Sequence, residues 1–368
     1  MRVGFLDHIE EVEDHRVPGM TTYPLDEVLL TVLVGLLCRG EDFDEIEMIC
    51  GEHLCWLRRF LPFRGGIAPA QTLRRVLRAL DPVALEGAFA GWVASLQEKV
   101  SGVVAIDGKT LRGSKQDSSG AGALHMVSAY AHASGLVLAH RAVGDKSNEI
   151  AAIPELLDML EIEGAIVTID AIGTQAAIAG KIVDAKADYL LALKENQGTL
   201  RGDVAEFFAD PPLAADCLCA HRTDSGHGRI EERVCLVADA SGWLAERHPQ
   251  WQALRSIAQV TATRTDKKTG ESSTETRLYI SSLPPDPARI LAASRSHWSI
   301  ENNLHWQLDV TFREDQCRSR KHHAARNLAT MRKAVLNLLR REPSKLSLKR
   351  KRLKAAINPT FRNAILAR

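Results

Sequence analysis

Two short runs of β-branched residues, each ending in an aspartate, constrain the fold of this chain more than any other feature. The runs are GVVAID at 102–107 and AIVTID at 165–170. Runs of this length and composition are typical of buried β-strands, and α/β sheets present reactive side chains where their strands end. Because adjacent parallel strands lie about 5 Å apart, the pattern predicts that Asp107 and Asp170 lie close together at one edge of a sheet.

The segments around these two runs predict the topology of that sheet. Ser134-Gly135 is typical of a tight turn and separates two further strand-like segments, which predicts a hairpin. In chain order the predicted elements are strands at 102–107, 124–133 and 136–143, a helix at 148–161, a strand at 165–170, a helix at 174–186 and a strand at 188–194. The order β-β-β-α-β-α-β predicts a mixed α/β sheet of the ribonuclease-H-like kind.

The rest of the chain divides by periodicity and composition into further regions. The predicted domains are a helical N-terminal domain at 1–98, the first part of the ribonuclease-H-like core at 99–196, a β-rich insertion at 197–290, the final helical part of the core at 291–340 and a basic tail at 341–368. Helical apolar spacing indicates the first and fourth regions, and three strand-like runs indicate the insertion.

The net charge of +1 conceals an asymmetry along the chain. Residues 291–368 contain 18 Lys and Arg against 5 Asp and Glu, a net charge of +13, so residues 1–290 carry −12. This density of positive charge favours a nucleic-acid partner over a merely solvated surface. The sequence has no apolar run of membrane-spanning length and no signal-peptide pattern, and its seven cysteines lack framework or zinc-ligand spacing. These features predict a cytoplasmic protein with reduced cysteines and no membrane partner.

Carboxylates at two neighbouring strand ends are typical of a divalent-metal site. Mg²⁺ prefers oxygen ligands and usually takes one or two protein carboxylates together with substrate phosphate. With a third acid, a pair of ions can assist an in-line phosphoryl displacement. Spacing alone leaves the third acid open among Glu301, Asp309, Glu314 and Asp315.

A helix is predicted around the first of these four acids. Glu301, His305 and Asp309 are four residues apart, which places them on one helical face. His305 and Asp309 are therefore candidates to support the metal-binding acids through contacts of their own.

The triplet GKT at 108–110 suggests an ATP-binding loop. The phosphate-binding motif requires four residues between its first glycine and the GK pair. Here five residues, VVAID, intervene after Gly102, and they have the composition of a strand. We therefore reject an NTPase.

Several motifs occur in one order across nearly the whole chain. They are PLDEVLLTVLVGLL and GIAPAQTLRRVLRALDP near the N-terminus, then AIDGKTLRGS at 105–114, KSNEIAAIPELL at 146–157, TIDAIGTQ at 168–175, DYLLALKENQGTL at 188–200, HWSIENNLHWQLDVTFRED at 297–315 and RNLATMRKAVLNLL at 326–339. In these motifs the chain resembles the H-repeat-associated insertion-sequence transposases, which are DDE enzymes with a ribonuclease-H-like core.

The resemblance implies a DNA transposase that cleaves strands and transfers the ends of an insertion sequence. It implies that Asp107, Asp170 and Glu301 are the catalytic and metal-binding acids, used with Mg²⁺ or Mn²⁺. It further implies that double-stranded DNA is the partner, as element ends and target, that the N-terminal domain binds the element's end, and that a homodimer assembles on DNA. Asn148 and Glu149 lie in the family's KSNEI segment, without a role that spacing predicts.

Basic and polar residues near the acids are candidates for contacts with the DNA backbone. They are Lys109, Arg112, Lys194, Asn196, Arg295, His297, Arg318 and Arg320. Related cut-and-paste transposases place an Arg directly before the Trp of the HWSIEN block and a Lys seven residues past the Glu, whereas this chain has His297 and Leu308 there. We therefore expect Arg295, Arg318 and Arg320 to substitute in binding phosphate.

Two alternative functions stay open on the sequence alone. One is a nuclease of the same fold that only hydrolyses DNA, and the other is a catalytically silent or domesticated remnant that only binds DNA. The β-rich insertion favours a transposase over a nuclease, and the presence of all three acids argues against decay. Strand-transfer activity separates the three functions.

Overall fold

A computed structural model of the chain describes residues 3–9, 12–17, 19–96, 99–115, 122–143, 149–226 and 228–367. Its helices are α1 (Gly4–Asp7), α2 (Leu25–Leu37), α3 (Phe43–Glu52), α4 (Leu54–Leu57), α5 (Ala70–Ala79), α6 (Pro82–Ser95), α7 (Glu149–Asp158), α8 (Ala176–Asp184), α9 (Gly198–Ala209), α10 (Pro211–Ala215), α11 (Trp243–Arg247), α12 (Pro287–His297), α13 (Ala324–Arg341), α14 (Leu348–Ile357) and α15 (Pro359–Leu366). Its strands are β1 (Val103–Thr110), β2 (His125–Ala131), β3 (Leu136–Val143), β4 (Ile166–Ile169), β5 (Asp188–Leu193), β6 (Leu218–Gly226), β7 (Arg229–Asp239), β8 (Ser256–Asp266) and β9 (Ser272–Ser281). Asn148 lies outside the described residues.

The chain between α12 and α13 contains a π-helical segment, made of Glu301–His305 and Gln307–Thr311. A short 3₁₀ turn, Glu314–Gln316, follows it. π-Helical turns are rare and occur often at functional sites. The segment carries Glu301, so the irregular backbone coincides with a predicted site residue.

In the described part of the chain, nine strands form one sheet in the order β3-β2-β1-β4-β5-β9-β8-β7-β6. β1 pairs antiparallel with β2 and parallel with β4, and β4 pairs parallel with β5. Five strands thus form the core in the order β3-β2-β1-β4-β5, with α7 and α8 as the connecting helices. This is the ribonuclease-H-like arrangement that the element order predicted, so the predicted fold class is confirmed.

The four strands of the β-rich region, β6 to β9, extend the core sheet beyond β5. β9 pairs antiparallel with β5, from Leu190 opposite Ser281 to Leu193 opposite Leu278. β8, β7 and β6 then extend the sheet by antiparallel pairing. The sequence predicted three strands here and missed β6, because its residues are almost all exposed or half-buried and show no apolar alternation.

The N-terminal helices form a compact apolar unit. Every residue of α2 from Glu27 to Leu37 is buried. α2 packs against α3 and against α13, and α13 also packs against α5, α6 and β3. The long helix α13 therefore connects the helical N-terminal region with the core sheet.

The basic C-terminal region folds back onto these N-terminal helices. Trp56 Nε1 donates a hydrogen bond to Asn363 Oδ1 at 2.8 Å, and Arg352 Nε donates to the Leu36 carbonyl at 3.0 Å. The cations that are buried in this region are Lys351, Arg352 and Arg362, and the exposed ones include Lys345, Lys349, Arg350 and Lys354. The buried cations of this region thus stabilise the fold, and the exposed ones remain accessible to solvent.

Two predictions from composition can be compared with the structure. All seven cysteines are free, as predicted, and Cys38, Cys50 and Cys235 are buried. None of the described helices is both long enough and apolar enough to cross a membrane.

Candidate active site

Asp107 and Asp170 lie on neighbouring strands at the same level of the sheet. β1 and β4 are parallel with Ile106 opposite Ile169, so each aspartate is the next residue after a paired isoleucine. Asp170 follows the end of β4, where its Oδ1 accepts a hydrogen bond from Ile172 N at 3.1 Å. The parallel pairing therefore places Asp107 and Asp170 side by side where the β1–β4 pairing ends, as predicted, although β1 itself continues beyond Asp107 to Thr110.

The π-helical segment packs against the Asp107 end of β1. His305 lies four residues after Glu301, and its Nδ1 is 3.5 Å from Asp107 Oδ2. The pKa of His305 is lowered to about 3, mainly by burial and also by the nearby Lys109 ammonium group. His305 is therefore neutral near pH 7 and contacts the Asp107 carboxyl group as an uncharged imidazole, which fits its predicted supporting position.

The surroundings of the four candidate third acids differ. Asp309, Glu314 and Asp315 lie 2.8, 3.3 and 3.4 Å from Lys109 Nζ. Glu301 is exposed and makes no ion pair with any residue that the structure describes. The charge of Glu301 is thus available to a ligand, whereas the other three acids neutralise an internal cation.

The electrostatics of the site centre on Asp107. Burial is the main reason why the pKa of Asp107 is raised to about 7, and the negative charges of Asp170, Glu149 and Glu301 raise it as well. Crowded carboxylates fit a bound divalent cation, which relieves their repulsion and prefers oxygen ligands. Among the described residues no group of three or more His, Cys, Asp or Glu side chains is already arranged to enclose an ion.

A fourth acid, Glu149 at the start of α7, lies behind β1. Successive side chains of a strand point to opposite faces, so Gly108 faces away from the Asp107 side chain. A Cβ at Gly108 would overlap His125 Nε2 and Glu149 Oε1, which are in contact with each other at this place. His125 Nδ1 is also 2.9 Å from Thr110 Oγ1. Sequence reasoning assigned Glu149 no role and missed His125, although the glycine directly after Asp107 was a signal of close packing.

Lys109 does not have the exposure that a contact with the DNA backbone requires. Its side chain is only 8% exposed, and its ammonium group is surrounded by the carboxylates of Asp309, Glu314 and Asp315. The prediction overlooked this because those acids lie far along the chain. In this structure Lys109 is therefore a buried ion-pair partner and not a surface cation.

His297 does not fit the predicted phosphate contact either. Its Nδ1 is 3.1 Å from Thr168 Oγ1, and burial lowers the pKa of His297 to about 4. The ring is thus neutral near pH 7, and a neutral imidazole lacks the positive charge of the arginine found there in related transposases. His297 instead connects α12 with β4.

The other predicted DNA-contacting residues have varied surroundings. Arg112 is 85% exposed, with its Nε 3.8 Å from Asp315 Oδ2, and Lys194 is 69% exposed, with its Nζ 3.9 Å from Asp170 Oδ1. The remaining contacts are Asn196 Nδ2 to the Ala171 carbonyl at 2.7 Å, Arg295 Nη2 to Asp224 Oδ2 at 3.1 Å, Arg318 Nη1 to the Asp315 carbonyl at 3.2 Å and Arg320 Nε to the Gly113 carbonyl at 2.9 Å. Arg112, Lys194, Asn196 and Arg318 are thus exposed, whereas Arg295 and Arg320 are half-buried.

A large groove lies beside Glu301, between α12 and the insertion strands. We call it the arginine groove, and its volume is about 1300 Å³. Its lining includes Arg222, Arg229, Arg233, Arg295, Trp298 and Asn302. The guanidinium group of Arg277 stacks on the Trp298 ring at 3.9 Å. Sequence reasoning identified only Arg295 of these cations, because alternate positions of β6 and β7 become one surface only when the strands pair.

Comparison with known proteins gives matches over nearly the whole chain. The family described as "Transposase DDE domain" matches residues 98–338, and the family "DDE_Tnp_1-associated" matches residues 6–93.

Individual relatives match this chain over nearly the full length of both proteins. "Putative transposase YncI" of Escherichia coli O157:H7 is 37% identical, over 99% of this chain and 94% of that protein. "H repeat-associated putative transposase YhhI" of Escherichia coli strain K12 is 34% identical, over 98% of this chain and 97% of that protein. Among solved structures, the piggyBac transposase synaptic complex with hairpin DNA aligns at a TM-score of 0.44 and 10% identity, over 99% of this chain and 77% of that one.

Proposed function

The chain belongs to the DDE transposase family, in the H-repeat-associated group that its motifs predicted, and on this premise we propose that it cuts DNA at the ends of an insertion sequence and joins them to a target. Asp107, Asp170 and Glu301 are the acids that carry the reaction. The first step hydrolyses a phosphodiester bond and frees a 3′ hydroxyl group. In the second step that hydroxyl attacks a phosphodiester bond of the target, which joins the strands and releases a 3′ hydroxyl group on the cut target strand.

The observation that supports this proposal most is that Asp170 and Glu301 both lie near enough to Asp107 for their negative charges to raise its pKa. Asp107 and Asp170 follow paired isoleucines on parallel strands, and the Glu301 helix contacts Asp107 through His305. Of the four acids that spacing left open, Glu301 alone has no cationic partner in the described part of the chain. Phosphoryl transfer depends mainly on position and charge, which such an arrangement provides.

The proposed cofactor is Mg²⁺ or Mn²⁺, held by Asp107, Asp170 and Glu301. When bound, such an ion lowers the pKa of an attacking oxygen and stabilises the charge that develops on phosphate. The protein contributes the position of the acids, and His305 supports Asp107 as a neutral neighbour. The raised pKa of Asp107 supports a cation here, because a bound cation would offset both the burial of this carboxyl group and the negative charges around it.

Double-stranded DNA is the proposed partner, both as element end and as target. The arginine groove opens beside Glu301. Lys194 is exposed near Asp170, and Arg112 is exposed near Asp315. Cations in such a groove bind phosphate with little dependence on base sequence. Since two ends must be brought together, we propose a homodimer on DNA. We also propose that the reaction takes place in the cytoplasm.

The proposal is tested by strand cleavage of a labelled duplex that carries the element's own ends, with Mg²⁺ or Mn²⁺. We expect Glu301→Gln to lower the cleavage rate by roughly 10³-fold or more, as expected for a residue that acts within a catalytic unit. Glu163→Gln is the matched control, because Glu163 precedes β4 at the end opposite Asp170 and is exposed. Cleavage that survives Glu301→Gln would refute the assignment.

A further inference from the structure

Lys109 is a buried cation enclosed by three carboxylates. Its Nζ lies 2.8 Å from Asp309 Oδ1, 3.3 Å from Glu314 Oε2 and 3.4 Å from Asp315 Oδ1. These acids belong to the end of the π-helical segment and to the turn that follows it. The ammonium group therefore connects β1 directly to the chain that continues from Glu301.

The connection involves the same strand face as the proposed catalytic site. Asp107 and Lys109 are two residues apart in β1, so their side chains leave the strand on one face. Asp309 is eight residues after Glu301 on the π-helical segment, and His305 between them contacts Asp107. The Lys109–Asp309 pair is thus a second attachment of the Glu301 helix to β1.

A backbone contact next to Lys109 strengthens this attachment. The Arg112 amide nitrogen donates a hydrogen bond to Asp315 Oδ1 at 3.1 Å. The end of β1 and the residues after it therefore hold the 309–315 stretch at two points. A stretch fixed at two points leaves the helix before it little freedom to rotate or slide.

The charges around Lys109 are balanced inside the protein. Glu314 is fully buried, and Arg332 Nη1 of α13 lies 4.0 Å from its Oε1. Lys333 of α13 is also buried near Glu314, and both α13 cations lower the pKa of Glu314, although burial alone would raise it. Removing one charge from such a cluster leaves its partners uncompensated, which is strongly unfavourable in a buried site.

We propose that Lys109 is a positioning residue that sets the distance between Glu301 and Asp107 by holding Asp309. This inference rests on the proposed function, because it concerns the same three acids. It assigns no DNA contact to Lys109. The positioning role depends on the burial of the Lys109 side chain.

The test is a double-mutant cycle with Lys109→Met, Asp309→Asn and the double variant. We expect each single change to lower strand cleavage by about 10- to 100-fold, the range found for residues that orient metal ligands. The double variant should be no slower than Lys109→Met, because both changes break one interaction. By calorimetry, the affinity for Mn²⁺ should fall in all three variants, while the affinity for element-end DNA in Ca²⁺ and its salt dependence should equal those of the wild type.

The control pair is Lys181–Asp158, an exposed ion pair of 2.6 Å between α8 and α7. Lys181→Met and Asp158→Asn should leave cleavage and Mn²⁺ affinity unchanged. If Lys109→Met does not fold by circular dichroism, Asp309→Asn alone decides the question, since Asp309 is 36% exposed and tolerates the change more readily.

Three results would overturn the inference: additive losses in the cycle, unchanged Mn²⁺ affinity, or a weaker salt dependence of DNA binding in Lys109→Met. The last result would instead identify Lys109 as a phosphate contact. If Glu301→Gln abolishes cleavage while the cycle gives any of these results, the proposed function stands and only the positioning role fails.

Discussion

Three consecutive residues of β1 have three different environments. Asp107 faces the proposed catalytic edge, Gly108 faces the His125–Glu149 pair on the opposite side, and Lys109 is enclosed by acids from another part of the chain. The alternation of side chains along a strand accounts for this division. At this scale the motif DGK therefore combines two charged side chains, Asp107 and Lys109, with a glycine that leaves room for the side chains packed behind β1.

The raised pKa of Asp107 predicts how stability depends on pH in the protein freed of metal by chelation. A carboxyl group whose folded pKa of about 7 exceeds its unfolded value holds its proton in the folded state between about pH 4 and 7. The free energy of unfolding therefore falls as pH rises through that range. At pH 8, Asp107→Asn should be more stable than the wild type by roughly 2 to 4 kcal/mol, and the difference should disappear near pH 4.

Chemical denaturation at the two pH values measures this difference. Added Mn²⁺ should stabilise the wild type at pH 8 and have a smaller effect on Asp107→Asn, because the variant lacks one ligand. A variant that is less stable than the wild type at pH 8 without metal would contradict the electrostatic description of the site.

Gly108→Ala is expected to destabilise the protein by about 1 to 3 kcal/mol, the usual cost of overpacking. The added methyl group overlaps His125 Nε2 and Glu149 Oε1, and neither side chain is free to move, because both are buried. Gly87→Ala in α6 is the matched control, since a Cβ there meets nothing within 4 Å. The control should be neutral or stabilising by about 0.4 to 1 kcal/mol. Equal denaturation midpoints for the two variants would contradict the packing behind β1.

At the scale of elements, local patterns predicted the core strands because their signal lies within a few residues. GVVAID and AIVTID are β1 and β4 at nearly the predicted positions, and their pairing places Asp107 beside Asp170. The sequence did not reveal the environment of Lys109, since its partners come from the far end of the chain. β6 was missed because a polar strand has no hydrophobic period to detect.

The pairing of β6 to β9 creates the arginine groove, and the groove leads to a prediction about DNA binding. Arg229 is exposed in the groove, so Arg229→Ala should weaken binding of element-end DNA and lower the slope of log affinity against log salt by about one. Arg255→Ala is the control, because Arg255 is exposed just before β8 and is not among the residues that line the groove. Equal salt slopes for both variants would argue against DNA in the groove.

At the scale of the whole molecule, the two ends of the chain form one helical unit. α14 and α15 pack on α2 to α4, and α13 extends from this unit to the sheet. Composition predicted a basic tail, but it could not distinguish cations that bind DNA from cations that hold the fold. Burial separates Arg352 from Arg350, which are only two residues apart.

Because Arg352 is buried and Arg350 is exposed, the same substitution should affect stability at the first position and DNA binding at the second. Arg352→Met should lower the free energy of unfolding by about 3 to 5 kcal/mol, because Glu41 and the Leu36 carbonyl lose a buried donor. Arg350→Met should change stability by less than about 0.5 kcal/mol and should instead weaken DNA binding in a salt-dependent way. Thermal unfolding and filter binding measure the two effects, and a stable Arg352→Met protein with weakened DNA binding would contradict this division.

The central claim is that the edge formed by Asp107, Asp170 and Glu301 both cuts and joins DNA. It is tested most directly by strand transfer, with a pre-cleaved element end bearing a 3′ hydroxyl group, target DNA and Mg²⁺ or Mn²⁺. We predict joined products with the wild-type protein and none with Asp107→Asn, although both bind the end equally well. Hydrolysis without joining by the wild type would indicate a nuclease, binding without either reaction would indicate a DNA-binding remnant, and joining by Asp107→Asn would contradict the assigned site.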